Sequence, residues 1–201
     1  MILRDLAIGD LPSAAAVLGN GLRDNPMHVR VFGGDADARE RALTRLFEGA
    51  LHRIAEKGFI EGAYVDGRLA GICGRMPPGR CRIGFGETLR FLPSMLSAHP
   101  ISTVFRIFSW AKAWGNEDPE TPHWHLGPVG VLRTHQGQGI GSALLSAFGA
   151  RMDQARSPAY LETDKDVNVT FYERAGFGVL QRKEALGVPC WFMSRPPGSP
   201  A

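Results

Sequence analysis

Cysteine is scarce: Cys73, Cys81 and Cys190 are the three among 201 residues. Their number is odd and no two share a C-x-x-C spacing, which argues against a disulfide framework and against a zinc site alike; free thiols, at least two of them in strand-like surroundings, are expected. Long hydrophobic runs are also missing. Nothing approaches the roughly 20 apolar residues that span a bilayer, and the nearest stretch, residues 95–114, is interrupted by His99, Arg106 and Lys112. The opening Met1-Ile2-Leu3-Arg4-Asp5 lacks the basic head, apolar body and small-residue cleavage site of a secretory signal, so a cytoplasmic protein without membrane contact is expected. Excess charge is absent too. Lys and Arg number 23 against 20 Asp and Glu, a net charge of +3, and the basic residues are scattered rather than blocked. No nucleic-acid footprint follows, only a mild preference for anionic ligands.

What is present is ordinary globular composition, 44% hydrophobic and 21% charged, enough for one domain spanning residues 1–201 with a real core. Residues 2–8 read as a strand, followed by a helix with Asp10 as N-cap and Pro12 in its first turn, running to about residue 23. Residues 24–28 break the pattern. A second helix over 38–57 carries Leu43, Leu46, Phe47, Ala50, Leu51 and Ile54 at helical spacing. Strands over 59–65 and 68–74 are joined by Asp66-Gly67, a strong hairpin signal, and Pro77-Pro78-Gly79 ends the hairpin. Residues 80–120 have the weakest pattern; Pro93 and Pro100 act as breakers and leave short helices over 94–97 and 102–114. A polar linker over 116–122 leads to a strand over 123–131. A helix over 139–155, a strand over 159–163, a helix over 168–175 closed by Gly176, and strands over 178–182 and 190–194 follow, with a loose tail over 196–201. A helix joining the strands 123–131 and 159–163 requires them to be parallel within a mixed sheet.

The chain is organised around Val129-Gly130-Val131-Leu132-Arg133-Thr134-His135-Gln136-Gly137-Gln138-Gly139-Ile140-Gly141-Ser142. A strand here hands over to a helix through three alternating glycines, so free backbone N–H groups gather at a helix N-terminus, where an anion such as pyrophosphate is favoured. Three readings compete. A dinucleotide fingerprint, Gly137-x-Gly139-x-x-Ser142 with Glu162 about 20 residues on, is weakened because residues 132–136 separate its first glycine from the strand. A nucleotide P-loop needs a lysine that Ile140-Gly141-Ser142 lacks. A plain connecting turn would not need glycines at every second position.

A second segment narrows the choice: Tyr160-Leu161-Glu162-Thr163, then Asn168-Val169-x-Phe171-Tyr172-Glu173-Arg174-x-Gly176-Phe177. With Gln136-x-x-Gly139-x-Gly141 it strongly resembles the GNAT superfamily of N-acetyltransferases, in which Gln/Arg-x-x-Gly-x-Gly/Ala holds the pyrophosphate of acetyl-CoA. Residues 124–172 and the ending Trp191-Phe192-Met193-Ser194-Arg195 are similar to the puromycin N-acetyltransferase-like branch. The resemblance is strong over 123–195, weaker over 1–75 and thin over 76–122. It implies an α/β (α+β) fold: a mixed, mostly antiparallel sheet of about seven strands, split as a V between the fourth and fifth, flanked by helices. Residues 123–195 would form the CoA-binding core and 20–122 the variable acceptor side. The resemblance further implies acetyl-CoA as acetyl donor and places pantetheine along the main chain of Val129, Gly130 and Val131. The pyrophosphate would lie on main-chain donors of Gln136, Gly137, Gln138, Gly139, Ile140, Gly141 and Ser142, with Asn168 beside the pantetheine arm.

Direct transfer needs a neutral amine, donors for the oxyanion and a proton for the leaving thiolate. Tyr172 matches the family's acid. For a base, His125 shares the side-chain face of Val129 and Val131 by period-two counting and matches a histidine of arylalkylamine acetyltransferases, while Glu162 lies on the neighbouring strand near the split. His123-x-His125 invites a metal reading, but no third ligand stands out and no metal is expected. His135, beside the phosphate turn, reads as a surface or CoA-facing residue. The acceptor pocket is expected from residues 25–30, with Asn25, Met27 and His28, from 75–78 and from 85–94. A small-molecule amine is the expected partner of a monomer or homodimer; acetylation of a protein or peptide amine, and a non-catalytic CoA-binding module, are the alternatives.

Overall fold

The computed structural model describes residues 1–82 and 84–198. Its seven strands are β1 (Ile2–Asp5), β2 (Phe59–Val65), β3 (Arg68–Met76), β4 (Trp124–Val131), β5 (Ala159–Thr163), β6 (Gly178–Ala185) and β7 (Val188–Arg195). They form one mixed sheet in the order β1-β2-β3-β4-β5-β7-β6. Among the described residues the α-helices are α1 (Leu11–Leu22), α2 (Pro26–Phe32), α3 (Ala36–Lys57), α4 (Phe85–Ala98), α5 (Ile101–Gly115), α6 (Ile140–Gln154) and α7 (Asp166–Glu173). Neighbouring strands are antiparallel except β4 and β5, which the crossover through α6 makes parallel, as expected. None of the described helices is long and apolar enough to cross a membrane.

Strand alternation divides the core between the two faces of the sheet. Ile72 and Cys73 are adjacent on β3 and both fully buried, yet Ile72 packs with Leu18, Leu43 and Leu51 of α1 and α3, and Cys73 with Leu144, Phe148 and Met152 of α6. Each such side chain contributes about 1.5–3 kcal/mol through burial, so the α3 stripe read from the sequence is what holds that helix to the sheet. Asp35 caps α3 by accepting from the Ala38 amide at 2.7 Å. The Asp66-Gly67 turn joins β2 to β3 with positive φ at both residues, 50° and 77°.

Several boundaries differ from expectation for identifiable reasons. β1 ends at Asp5 because residues 8–10 form a 3-10 turn, and Asp10 does not cap α1: its carboxylate accepts from the Tyr64 hydroxyl at 2.8 Å. Residues 24–28 are not simply a break, since α2 begins at Pro26, a residue suited to a first helical position. Pro93 lies inside α4 rather than ending it; the start of that helix is held by Glu87, which accepts from the Gly84 amide at 3.2 Å and pairs with Arg53 and Lys57 of α3. β6 and β7 are longer than expected and are joined by Leu186 and Gly187, both at positive φ. The tail is not loose as far as Gly198, because Asp153 accepts from the buried Arg195 guanidinium at 2.7 and 2.8 Å and from the Gly198 amide at 2.9 Å. The remainder of the tail lies outside the described residues.

The feature that positions the site is the parting of β4 from β5. They pair only at Trp124 with Ala159 and His125 with Tyr160. Immediately beyond, Pro128 has no N–H to offer a neighbouring strand, and the β3–β4 register shifts between Cys73 and Arg75. α1 crosses the far end of β4 so closely that a Cβ on Gly21 would stand 2.4 Å from the Val131 carbonyl oxygen. Gly21→Ala is therefore expected to lower the urea midpoint: overpacking against backbone costs about 1–3 kcal/mol and outweighs a helix-propensity gain of about 1 kcal/mol. An unchanged or higher midpoint would show that α1 is not pressed onto β4.

Candidate active site

Three parts of the fold meet where β4 and β5 diverge: the N-terminus of α6, the C-terminal end of β5 with α7, and a cavity of about 1060 Å³ roofed by α2, α3, α4 and α5. At the first, Gly137 and Gly139 take φ of 75° and 81°, a region that favours glycine, while a Cβ at Gly141 would stand 3.0 Å from the Phe171 ring, a tight contact to which that ring would have to give way. Ala143 is the first amide bonded back, to the Gly139 carbonyl at 3.0 Å, so the amides of Ile140, Gly141 and Ser142 are left at the helix N-terminus. The loop is braced from α1: Asn20 accepts from the Arg133 amide at 3.0 Å, and the Gln136 carboxamide donates to the carbonyls of Gly21 and Val131 at 3.3 and 3.1 Å. Gln138 donates to the Thr134 carbonyl at 3.1 Å. The Leu132 amide donates to Ala70 of β3, so by alternation the amides of Val129 and Val131 turn toward the split and that of Gly130 toward β3.

The cavity brings Asn168, Tyr172, His125 and Glu162 together with Asn25, Met27 and His28, all of which line it. Gln136 and His135 do not. Tyr172 is 8% exposed, and burial, followed by the negative charge of Cys73, Asp164 and Glu162, pushes its phenol well above the usual tyrosine range. Asn168 donates to the Thr163 hydroxyl at 3.2 Å. His28 is a wall rather than a polar contact: its Nδ1 stands 2.8 Å from the Leu22 carbonyl, its ring meets Phe47 and Trp110 edge-on, and burial lowers its pKa so that it stays neutral. Asp164, which the sequence did not single out, accepts from the Met27 amide at 2.6 Å and from Asn25 at 3.5 Å, acting as an N-terminal cap for α2 from 137 residues away. No local signal reveals such a cap.

At the foot of the split stands a cluster of ionisable groups. His125 lies between two carboxylates, with Nε2 3.1 Å from Glu162 Oε2 and Nδ1 3.5 Å from Asp118 Oδ1. His123 Nε2 is 3.1 Å from the same Asp118 oxygen, and its Nδ1 is 2.8 Å from the Thr121 carbonyl. Cys81 Sγ completes the group at 3.9 Å from His123 Nε2. Burial favours neutral histidines, but it is outweighed: the charge of Glu162 and hydrogen bonds to Asp118 raise His125 well above 6.5, and Asp118 and Cys81 raise His123 to about 10. Asp118 is lowered despite its burial by hydrogen bonds from both histidines. Hydrogen bonds to His123 and His125 bring Cys81 down to about 6, whereas burial pushes Cys73 up to about 12. The expectation that His123 and His125 lack a third metal-type ligand is thus corrected, since Cys81 and Asp118 stand beside them. The hidden partners lie at separations of 42 and 5 residues from His123, inside the segment with the weakest pattern.

The acetyltransferase (GNAT) family profile matches residues 27–177. Among solved structures, an acetyltransferase from Corynebacterium glutamicum described as a histone acetyltransferase and related acetyltransferase is 23% identical, with a TM-score of 0.70 over 99% of this chain and 97% of its own. A ribosomal-protein-alanine N-acetyltransferase from Brucella melitensis is 14% identical, with a TM-score of 0.58 over 98% and 99%. A GNAT family acetyltransferase from Brucella melitensis in complex with acetyl-CoA is 17% identical, with a TM-score of 0.54 over 100% and 90%. At these identities the likeness carries the fold.

Asp164→Ala should cost about 1–2 kcal/mol, the loss of a capping acceptor from a buried amide, measured by urea denaturation. No change in stability would mean that α2 does not depend on this cap.

Proposed function

The chain belongs to the acetyltransferase (GNAT) family, a family of acetyl-CoA-dependent acetyl transfer, and on that premise we propose that its acceptor is the amine of a small molecule with an apolar body. The observation that carries this reading is the cavity: Met27, Phe47 and Trp110 are among its walls, and Glu162, Asp164 and the Tyr172 side chain lie along it where β4 parts from β5. An apolar chamber with carboxylates at one end suits an organic cation that leads with its ammonium group. Acetyl-CoA, when bound, supplies the acetyl group as an activated thioester. The amides of Ile140, Gly141 and Ser142 suit its pyrophosphate and Val129 and Val131 its pantetheine, and Asn168, which lines the cavity, would stand beside that arm. The puromycin N-acetyltransferase-like branch rests on the residues quoted for it in the sequence.

In this mechanism Glu162 takes one proton of the bound ammonium and the amine nitrogen forms its bond to the thioester carbonyl carbon. As the C–S bond breaks, Tyr172 gives its proton to the sulfur and regains one from the acylated nitrogen, leaving an amide and a thiol, and the proton on Glu162 passes to solvent. His125 acts as a positioning residue: enclosed by two carboxylates it is poorly placed to accept a proton, and its Nε2 holds Glu162. An alkyl amine of pKa about 10.4 is neutral in only about one molecule in a thousand at pH 7, so the carboxylate matters most for such acceptors. The Tyr172 phenol, raised above its ordinary value by burial, holds its proton across the working range; its transfer to a thiolate of pKa about 8.5 is uphill and goes forward late, as C–S cleavage completes and the nitrogen proton returns to the phenolate.

A screen of amines for release of the CoA thiol tests the reading, with peptides bearing an N-terminal alanine as the alternative acceptor class. Activity on alkyl or arylalkyl amines is expected; activity on peptides alone would overturn the small-molecule assignment, and no turnover with any amine would favour a CoA-binding module. Acetyl-CoA should raise Tm and NAD should not. On a verified acceptor, Tyr172→Phe should lower kcat about 100-fold with little change in KM for acetyl-CoA. Because its pKa lies above the ordinary value, wild-type kcat should show no loss from phenol ionisation up to about pH 10. An unchanged rate in Tyr172→Phe between pH 6 and about 10 rules out the acid role. Glu162→Gln should slow an amine of pKa about 10.4 far more than one of about 7.8, which is already neutral about a tenth of the time at pH 7; equal losses on both would exclude Glu162 as base.

A further inference from the structure

Acetyl transfer leaves unexplained why a thiol, a carboxylate and two imidazoles converge at the foot of the split. Cys81 comes from the segment between β3 and α4, Asp118 and His123 from the linker between α5 and β4, and His125 from β4 itself. One ligand-type atom from each lies within 4.8 Å of all the others. Cys81 Sγ is 3.9 Å from His123 Nε2 and 3.9 Å from Asp118 Oδ2, His123 Nε2 is 3.1 Å from Asp118 Oδ1, and His125 Nδ1 is 3.5 Å from that oxygen. A tetrahedral zinc ion with bonds of about 2.0–2.3 Å sets its ligand atoms about 3.3–3.8 Å apart. These four separations, 3.1 to 3.9 Å, lie near that spacing, with Asp118 meeting the sulfur through Oδ2 and the imidazoles through Oδ1.

The outer ends of the two rings sharpen the case. His123 Nδ1 faces the Thr121 carbonyl and His125 Nε2 faces the Glu162 carboxylate, both acceptors, so the outer nitrogens carry N–H groups. In the neutral rings the inner nitrogens are then lone pairs, directed at Asp118. His125 Nδ1 is buried, and the Asp118 Oδ1 it faces stands 3.5 Å away, too far for a strong hydrogen bond. Arg82 engages the outer oxygen of Asp118, Oδ2 at 3.2 Å, and leaves Oδ1 between the imidazoles. Two lone pairs, a carboxylate oxygen and a sulfur at one point require positive charge among them, either a proton on each ring or one metal ion. The donor types favour the ion. Histidine ligands backed by a carbonyl and a carboxylate are the usual second layer of a zinc site, and a thiolate and a carboxylate together cancel the charge of a divalent cation.

We propose that Cys81, Asp118, His123 and His125 bind one zinc ion as a closed, four-ligand structural site. Coordination sends the protons of the thiol and of any imidazolium to solvent. With all four positions taken by the protein, the ion serves no Lewis-acid step; it ties residues 77–82 and 116–123 to β4. Cys81, Asp118 and His125 line the cavity, so the ion fixes one of its walls, whatever the acceptor is.

Cobalt(II) and zinc titrations of chelator-treated full-length protein test this without any acetyl-transfer assay. One equivalent of cobalt should produce a thiolate-to-metal charge-transfer band and the intense visible bands of a tetrahedral ion, and zinc should displace it mole for mole. Cys81→Ser should lose the charge-transfer band, and His123→Ala should lose stoichiometric binding. Glu162→Gln should weaken zinc binding about 10–100-fold, as expected for a partner of a ligating histidine and not for a residue that only accepts a proton from substrate. Absence of one-to-one binding of either metal, an octahedral cobalt spectrum without a sulfur band, or binding unchanged in Cys81→Ser overturns the proposal. If His123→Ala does not fold, the nearly isosteric Cys81→Ser decides alone.

Discussion

β4 and β5 run side by side for two residue pairs and then separate, and the site is arranged around that separation. A parallel pair in a sheet ordinarily continues until a strand ends, because each further pairing satisfies polar groups that are costly to bury. Here Pro128 removes a donor from β4, and α1 presses on the far end of the strand through Gly21 and Leu18, which sits against Gly130. Main-chain groups are therefore left facing a gap at the same level where α6 begins with unbonded amides. The glycine loop that joins the two uses its glycines for two unrelated reasons, backbone conformation at Gly137 and Gly139 and a small residue beside Phe171 at Gly141. One break in pairing thus supplies both halves of the proposed cofactor track.

What could be read from the sequence was what local chemistry decides. The Asp66-Gly67 hairpin, the α3 stripe, the strand over 159–163 and the loop into α6 all depend on residues within one or two turns of each other, and all agree with the structure. The acceptor side could not be read because its elements are started by distant partners. α2 takes its cap from Asp164, 137 residues on, and α4 is held at its start by charges from α3 and runs on through its internal proline. In the same way His123-x-His125 was visible as a pair, whereas Cys81 and Asp118 join it only through the fold.

His125 is where the two readings of the site meet. Its Nδ1 faces the cluster of Asp118, His123 and Cys81, and its Nε2 holds Glu162. An imidazole carrying positive charge at one nitrogen, from a proton or a metal ion, donates more strongly from the other. On the proposed reading, the charge of the cluster would reach the Glu162 carboxylate through the His125 ring. Tyr160 supports that ring, since its own packs edge-on against both histidines and its hydroxyl donates to the Glu117 carbonyl at 3.1 Å. A carboxylate held from behind in this way has one oxygen committed to orientation, which in the proposed mechanism would leave the other for a substrate ammonium. On the proposed reading, apolar walls and an oriented carboxylate would divide recognition between them: the walls would choose the body of the acceptor, and Glu162 which of its nitrogens reaches the thioester.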